Sequence, residues 1–187
     1  MAAAELRREH STGRRHKSVW PAVLWAYLAL WAITLAGATL SAVLAAGAVR
    51  AAMGLTFEAS RNPTPSLGRV LALWAHNLPI CAWPLLLGSL GLAQRSPWRR
   101  AADILVSACA LANALPVAAA LGGYGGELVP YVPQLPLEWA ALAVGYGSWL
   151  IERGSGLARG QRLALLGAAV LLLLAAAALE TCAVPHR

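Results

Sequence analysis

Long apolar runs separated by short polar segments make up most of the chain. The runs cover residues 20–49, 69–93, 102–121, 134–151 and 163–183. A transmembrane helix needs about 20 apolar residues to cross a hydrocarbon core about 30 Å thick. The run at 134–151 is the shortest, so its helix either starts earlier or enters the membrane from a pocket. The pattern predicts an all-α polytopic transmembrane helical bundle with about five spans.

One membrane domain accounts for this pattern, with a short tail at each end. We expect a basic N-terminal tail at 1–19, the helical domain at 20–184 and a short tail at 185–187. The first run is far longer than the 7–15 residues, roughly, of a signal-peptide core, so it is a retained span. Tryptophans at its start are typical of a membrane interface. The loop at 50–68 predicts a short interfacial helix at 51–59, followed by a turn at Asn62-Pro63-Thr64-Pro65.

The distribution of basic residues predicts the orientation of the spans. If the N-terminus is inside, eleven of the 15 lysines and arginines fall on inside segments: the tail and the loops at 94–100 and 152–162. The outside segments hold Arg50, Arg61, Arg69 and Arg187. The positive-inside rule therefore predicts a cytoplasmic N-terminus and an outside C-terminus. Six spans would require a re-entrant piece in the first run or in the Gly/Pro-rich segment at 122–136.

Composition supports a membrane location and argues against a soluble protein. The chain is 59% hydrophobic and 12% charged, whereas soluble domains carry about 25% charged residues. The net charge is +7, and the basic residues lie between the apolar runs, where anionic lipid head groups sit. They do not form the basic face of a soluble domain that would bind nucleic acid. Lys17 is the only lysine among many arginines, alanines and leucines, which indicates G/C-rich coding. This favours a multi-pass protein of a bacterial cytoplasmic membrane.

Four polar residues inside the predicted spans are the candidate site. They are His76, Asn77, Asn113 and Glu138. A charged side chain at the centre of a membrane helix costs about 2.5–3.5 kcal/mol, so such residues are the first candidates for function. Three spans place them in the outer half of the bilayer, and we expect one cluster with Glu138 within about 4 Å of a partner. Two roles are open: hydrogen bonding between helices, or a ligand, substrate or proton pathway.

Other polar, proline and glycine positions predict local structure. Asp103 at the start of its span is expected to cap a helix, and Glu152 and Glu180 are expected to be solvated at the interfaces. Pro79 and Pro84 predict a kinked or broken second span. Small residues recur along the spans and predict close helix approach; they are Gly37 with Ser41, Gly88 with Gly91, and Gly145 with Gly147.

No catalytic, metal or cofactor motif occurs in the sequence. It contains no HExxH, no phosphate-binding loop with its lysine and no nucleophile elbow. Cys81, Cys109 and Cys182 are scattered and have no metal-ligand spacing. We therefore expect neither an enzyme nor a bound cofactor, and an ATP-driven process would need a separate subunit.

The order of polar positions in 65–150 resembles the stage II sporulation protein M family of membrane proteins. His76-Asn77, followed by Gly88 and Gly91, is similar to an Asn-Asn pair followed by spaced glycines in that family. Asn113-Ala114 partly matches a later Asn-Gly. The segment from Pro133 to Glu138, followed by small residues, is similar to a Pro-His-Gly-x-x-Glu element, of which the proline and the glutamate match.

The resemblance implies a non-enzymatic membrane protein with about five or six spans. The sporulation member recruits cell-wall hydrolases to the engulfing membrane, and other relatives accompany bacteriocin gene sets beside an ATPase. The resemblance thus predicts a scaffold or assembly factor for membrane or extracytoplasmic partner proteins. The alternative is the membrane component of an export or immunity system that works with a separate ABC-type ATPase. The two predict different roles for Glu138, since only transport needs its ionisable group.

Overall fold

A computed structural model describes residues 18–55, 65–92 and 96–183. The basic tail, the turn at Asn62 and the C-terminal tail lie outside these ranges. Within them all regular structure is helical. The α-helices are α1 (Trp20–Leu44), α2 (Ala46–Met53), α3 (Leu67–Ser89), α4 (Ser96–Tyr124), α5 (Leu135–Gly154) and α6 (Arg159–Ala183), and two 3-10 helices, Gly125–Glu127 and Val129–Tyr131, join α4 to α5.

Four helices, α1, α3, α4 and α6, are long and apolar enough to cross a membrane. The prediction of an all-helical chain with several membrane-spanning helices is confirmed at this level. Helix α5 has 20 residues, about 30 Å at 1.5 Å per residue. It carries three charged residues, Glu138, Glu152 and Arg153.

Helix α5 is the core of the bundle. Its residues from Ala141 to Trp149 are all buried. Helices α1, α3 and α6 pack directly on it, while α1 also packs along α4 and α3 along α6. Helix α4 meets α5 at few positions, which leaves a loose seam between them. Large apolar side chains such as Trp25, Ile104 and Leu171 are exposed on the outer faces, as expected for helices that face lipid.

Glycines let the helices around α5 approach it closely. A Cβ atom at Gly145 would lie 2.2 Å from the carbonyl oxygen of Cys81, and one at Gly147 would lie 2.8 Å from the Cα of Val23. Both contacts involve backbone that a side chain would push away. Gly91 is different: it has φ +70° beyond the end of α3, and a Cβ there would meet nothing. The prediction that Gly91 allows close helix approach is therefore wrong. Gly91 instead adopts the left-handed conformation in the turn that follows the helix.

Small residues also bring α1 and α4 together. A Cβ at Gly37 would lie 2.9 Å from the Cβ of Ala118, and one at Gly122 would lie 2.4 Å from the carbonyl oxygen of Ala38. The Ser41 hydroxyl donates a hydrogen bond across this contact to the carbonyl of Ala119, at 3.3 Å. The α1–α4 pair is thus closely packed, unlike the α4–α5 seam.

Two local predictions need correction. Helix α3 is continuous although Pro79 and Pro84 lie inside it, so the broken-helix alternative is wrong. Neighbouring helices support it: Pro84 is buried against the glycine face of α5. The short helix after the first span begins at Ala46 and ends at Met53, several residues earlier than expected.

Candidate functional site

Glu138 lies in the first turn of α5 and faces α3. Pro136 stands in the first positions of that helix, where its fixed φ and missing N–H suit a helix start. The carboxylate then lies near the positive end of the helix dipole. The Nδ2 of Asn77 on α3 donates to its Oε1 at 3.4 Å, a long hydrogen bond. The acid is therefore half-buried beside an amide and not beside a cation.

A cavity of about 120 Å³ opens beside this pair. Its polar lining comes from three helices: Asn77 and Cys81 on α3, Asn113 on α4 and Glu138 on α5. Ile80, Val117, Trp139, Leu142 and Leu173 complete the wall. The volume is enough for several water molecules, since a liquid water occupies about 30 Å³. We call this space the Glu138 cavity.

Of the four candidate residues, three meet at this cavity and His76 does not. Asn113 uses its Nδ2 to donate to the carbonyl of Cys109 at 2.7 Å, so its side chain is held against its own helix. His76 is exposed and is absent from the cavity wall. Successive residues on an α-helix point about 100° apart, and here Asn77 contacts Glu138 of α5 while His76 is exposed. The inclusion of His76 in the cluster was wrong.

Tyr146 lies two turns along α5 from Glu138, on the same face. Its side chain is only 6% exposed, and its hydroxyl makes no hydrogen bond of good geometry, although two polar side chains of α4 lie within its reach. Asn113 and Cys109 of α4 are its polar neighbours. The hydroxyl thus lies below the Glu138 cavity, on the α4–α5 seam.

A second cavity, of about 220 Å³, follows on the other side of Tyr146. Its polar lining comes from α4 and α5; the residues are Asp103, Ser107, Tyr146, Trp149 and Arg153. The Nε1 of Trp149 donates to Oδ1 of Asp103 at 2.9 Å, and Arg153 Nε lies 3.1 Å from the same oxygen. We call this space the Asp103 cavity. The predicted capping role of Asp103 is wrong, because α4 begins at Ser96 and Asp103 lies well inside it.

Glu152 is buried at the same end of α5. It is 2% exposed, and Arg162 Nε lies 2.7 Å from its Oε1. The missing side chain of Gly88 makes room for it, because a Cβ there would lie 2.6 Å from the Cγ of Glu152. The prediction of a solvated Glu152 was wrong. The signal in the sequence was an acid and an arginine on either side of the short turn between α5 and α6.

Tryptophans that are buried or partly buried supply further hydrogen bonds between helices that sequence reasoning missed. Trp139 Nε1 on α5 donates to Oγ1 of Thr34 on α1 at 3.0 Å. Trp74 Nε1 on α3 donates to the carbonyl of Val170 on α6 at 3.2 Å. A buried indole N–H needs a partner, so a tryptophan placed inside a span is itself a signal for such a bond.

An ordered group of residues forms around Arg50 at the end of the bundle where α5 begins. Arg50 donates to the carbonyl of Gly123 at 2.6 Å and pairs with Glu127 at 3.0 Å. The Tyr124 hydroxyl donates to the carbonyl of Arg50 at 3.2 Å and accepts from the N–H of Leu55 at 3.0 Å. These bonds join residues 46–55 to 123–131. We call the two segments the Arg50 platform.

Comparisons with protein-family models, curated proteins and solved structures find no match for this chain. The described residues also hold no group of three or more His, Cys, Asp or Glu side chains that could bind a metal ion. Two features of the structure bear on function. They are the Arg50 platform and the polar groups along the α4–α5 seam.

Proposed function

We propose that this chain is a non-enzymatic scaffold or assembly factor of a bacterial cytoplasmic membrane. The supporting observation is the Arg50 platform, a surface held by bonds that join α2 and Leu55 to the end of α4 and the 3-10 turn that follows it. A scaffold needs a preformed surface, because ordering a flexible segment on binding costs affinity. The platform exposes Leu55, Glu127 and Val129, a mixture of apolar and acidic contacts that suits a protein partner.

In this proposal five helices cross the membrane and the N-terminus is cytoplasmic. Helix α5 has the length for a span, and of its charged groups Glu152 is buried, Glu138 is half-buried and Arg153 is exposed at the end of the helix. The positive-inside count then places the Arg50 platform outside and the Arg162 end of the bundle in the cytoplasm. A reporter that is active only in the cytoplasm should be silent when it is fused after Arg187. Strong activity of that fusion would contradict five spans.

The resemblance to the stage II sporulation protein M family points in the same direction. The Pro133 to Glu138 segment that carries it leads into α5, and Asn77 and Glu138 are in contact. In that family the sporulation member recruits cell-wall hydrolases. We therefore propose extracytoplasmic proteins of that kind as partners of the platform.

Site-specific crosslinking tests the scaffold role. A photoreactive residue at Val129, which is 60% exposed on the platform, should capture a discrete partner in cells. The same residue at Leu111, which is 42% exposed in the middle of α4, should not. Arg50→Ala should remove the Val129 adduct, whereas Arg159→Ala, at the other end of the bundle, should leave it. An adduct that survives Arg50→Ala would overturn the role of the platform.

The Glu138 cavity supports a second candidate, the membrane component of an export or immunity system. A scaffold does not need a carboxylate beside an intramembrane cavity, whereas a transport component uses such groups. Deletion of the gene should then impair export or immunity, and Glu138→Gln should fail to restore it although the protein is made and inserted. Full restoration by Glu138→Gln would exclude this candidate.

A further inference from the structure

Polar residues form a stripe along one face of α5. Gln134, Glu138 and Tyr146 are spaced by multiples of four, and Trp149 and Arg153 continue the same face. Residues three and four apart on a helix lie above one another. From Gln134 to Arg153 the stripe extends about 28 Å at 1.5 Å per residue, close to the thickness of about 30 Å of a hydrocarbon core.

This stripe contains both unsatisfied polar atoms of the described interior. The buried side-chain oxygens without a hydrogen-bond partner are Gln134 Oε1 and Tyr146 Oη. A buried polar atom left unpaired costs about 1–3 kcal/mol, and ordered water is its usual partner. Of the two, Tyr146 Oη faces Asn113 and Cys109 on α4, and water in the adjoining cavities can complete its hydrogen bonds.

The two cavities lie end to end beside the stripe. Along α4 the lining passes from Asp103 to Val117, and along α5 it passes from Arg153 to Glu138. Tyr146 stands between them: its ring lines the Asp103 cavity, and its hydroxyl neighbours Asn113, which lines the Glu138 cavity.

We propose that the α4–α5 seam is a hydrated proton pathway in which the Tyr146 hydroxyl connects the water of the two cavities. A proton from water binds a carboxylate oxygen of Glu138 and passes through water to the Tyr146 hydroxyl. That oxygen accepts the incoming proton while its own proton leaves to water in the Asp103 cavity. No electrons are transferred, and the driving force is a pH gradient or membrane potential. The proposal is independent of the scaffold role.

The groups that face Glu138 suit a proton better than a larger ion. Helix α3 contributes Asn77 and Cys81, α4 contributes Asn113, and α6 places Glu180 as the other acid acting on Glu138. No arginine or lysine of the described residues pairs with this carboxylate, so it is free to bind a proton. A proton needs only a chain of hydrogen-bonding groups, whereas a hydrated ion needs an open pore.

Proton flux into vesicles tests the pathway. The purified chain is reconstituted in phosphatidylethanolamine–phosphatidylglycerol vesicles that contain a pH-sensitive dye, and valinomycin with a potassium gradient sets the potential. Wild-type vesicles should acidify faster than protein-free vesicles, and Tyr146→Phe or Glu138→Gln should reduce the flux to the protein-free rate. Tyr27→Phe, which removes a hydroxyl from a residue of α1 that lines neither cavity, should conduct like wild type. Wild-type flux at the protein-free rate, or full flux in Tyr146→Phe, would overturn the proposal.

Thiol labelling tests hydration without relying on flux. Cys109 neighbours Tyr146 in the seam, and a variant that keeps it as the sole cysteine should react with a charged, water-soluble methanethiosulfonate. Leu111→Cys in a chain without other cysteines is the matched control. This position is on the same helix at similar depth but on an outer face, where a thiol in lipid stays protonated and inert. Equal protection of both cysteines would show a dry seam and would overturn the proposal.

Discussion

The two ends of α5 each hold a carboxylate, but the surroundings of the two acids are opposite. Glu152 is 2% exposed and pairs with the guanidinium of Arg162 at 2.7 Å. Glu138 is half-buried and has one long bond from an amide, at 3.4 Å. The first acid is enclosed beside Gly88. The second borders a cavity.

The difference indicates that Glu152 stabilises the fold, whereas Glu138 can bind and release a proton. A buried charge that has its counter-ion and its hydrogen bond cannot be changed without leaving the partner unpaired. An acid that accepts one hydrogen bond from an amide beside a cavity keeps that hydrogen bond whether it is charged or neutral. The Arg162 end of α5 therefore anchors the bundle, and the Glu138 end can change its protonation state.

Arg162→Ala should have the largest effect on stability, because it leaves the enclosed Glu152 without a partner. Breaking a buried ion pair costs about 3–5 kcal/mol. The free energy of unfolding can be measured by denaturant titration in mild detergent. Arg159→Ala is the matched control, since Arg159 is exposed at the start of the same helix. If Arg162→Ala lowers the free energy of unfolding no more than Arg159→Ala does, the Glu152–Arg162 pair does not stabilise its end of α5 and the two ends do not differ in this way.

Trp149→Phe should have the next largest effect. It deletes the indole N–H that bonds to Asp103 at 2.9 Å, and a hydrogen bond to a charged group contributes about 1.5–3 kcal/mol. Arg153 still pairs with Asp103, which places the expected loss near the lower value. Trp98→Phe is the control, because Trp98 is 62% exposed. Equal stability of the two variants would show that this bond does not anchor α5.

The sequence predicted the helices and part of the site for clear physical reasons. Apolar runs reveal spans because lipid leaves backbone polar groups no partner outside a helix. Polar residues in such runs are costly, which identified Asn77, Asn113 and Glu138. Helix lengths and order place these three residues at similar depths in the membrane, and their grouping was predicted from that.

The remaining features depend on which helices face each other. From the sequence, Glu152 is predicted to be an interfacial acid, and only the structure shows Arg162 and Gly88 beside it. Asp103 is predicted to cap the start of a helix, and only the structure shows that α4 begins earlier, at Ser96. His76 and Asn77 are neighbours in sequence, and only the packing of α3 on α5 shows which one enters the cavity.

Glu138→Gln should have the smallest effect on stability and thus gives the sharpest test of the comparison. Glutamine has nearly the same shape, and its Oε1 can still accept the bond from Asn77. Because no cation loses its partner, the free energy of unfolding should change by less than about 1 kcal/mol. The same change at the other end, Glu152→Gln, leaves Arg162 without a counter-charge and should cost clearly more. If the two variants lower the free energy of unfolding equally, both acids stabilise the fold, and the proposed difference between Glu138 and Glu152 is wrong. If Glu138→Gln is as stable as wild type yet loses proton flux, the acid serves chemistry and not the fold.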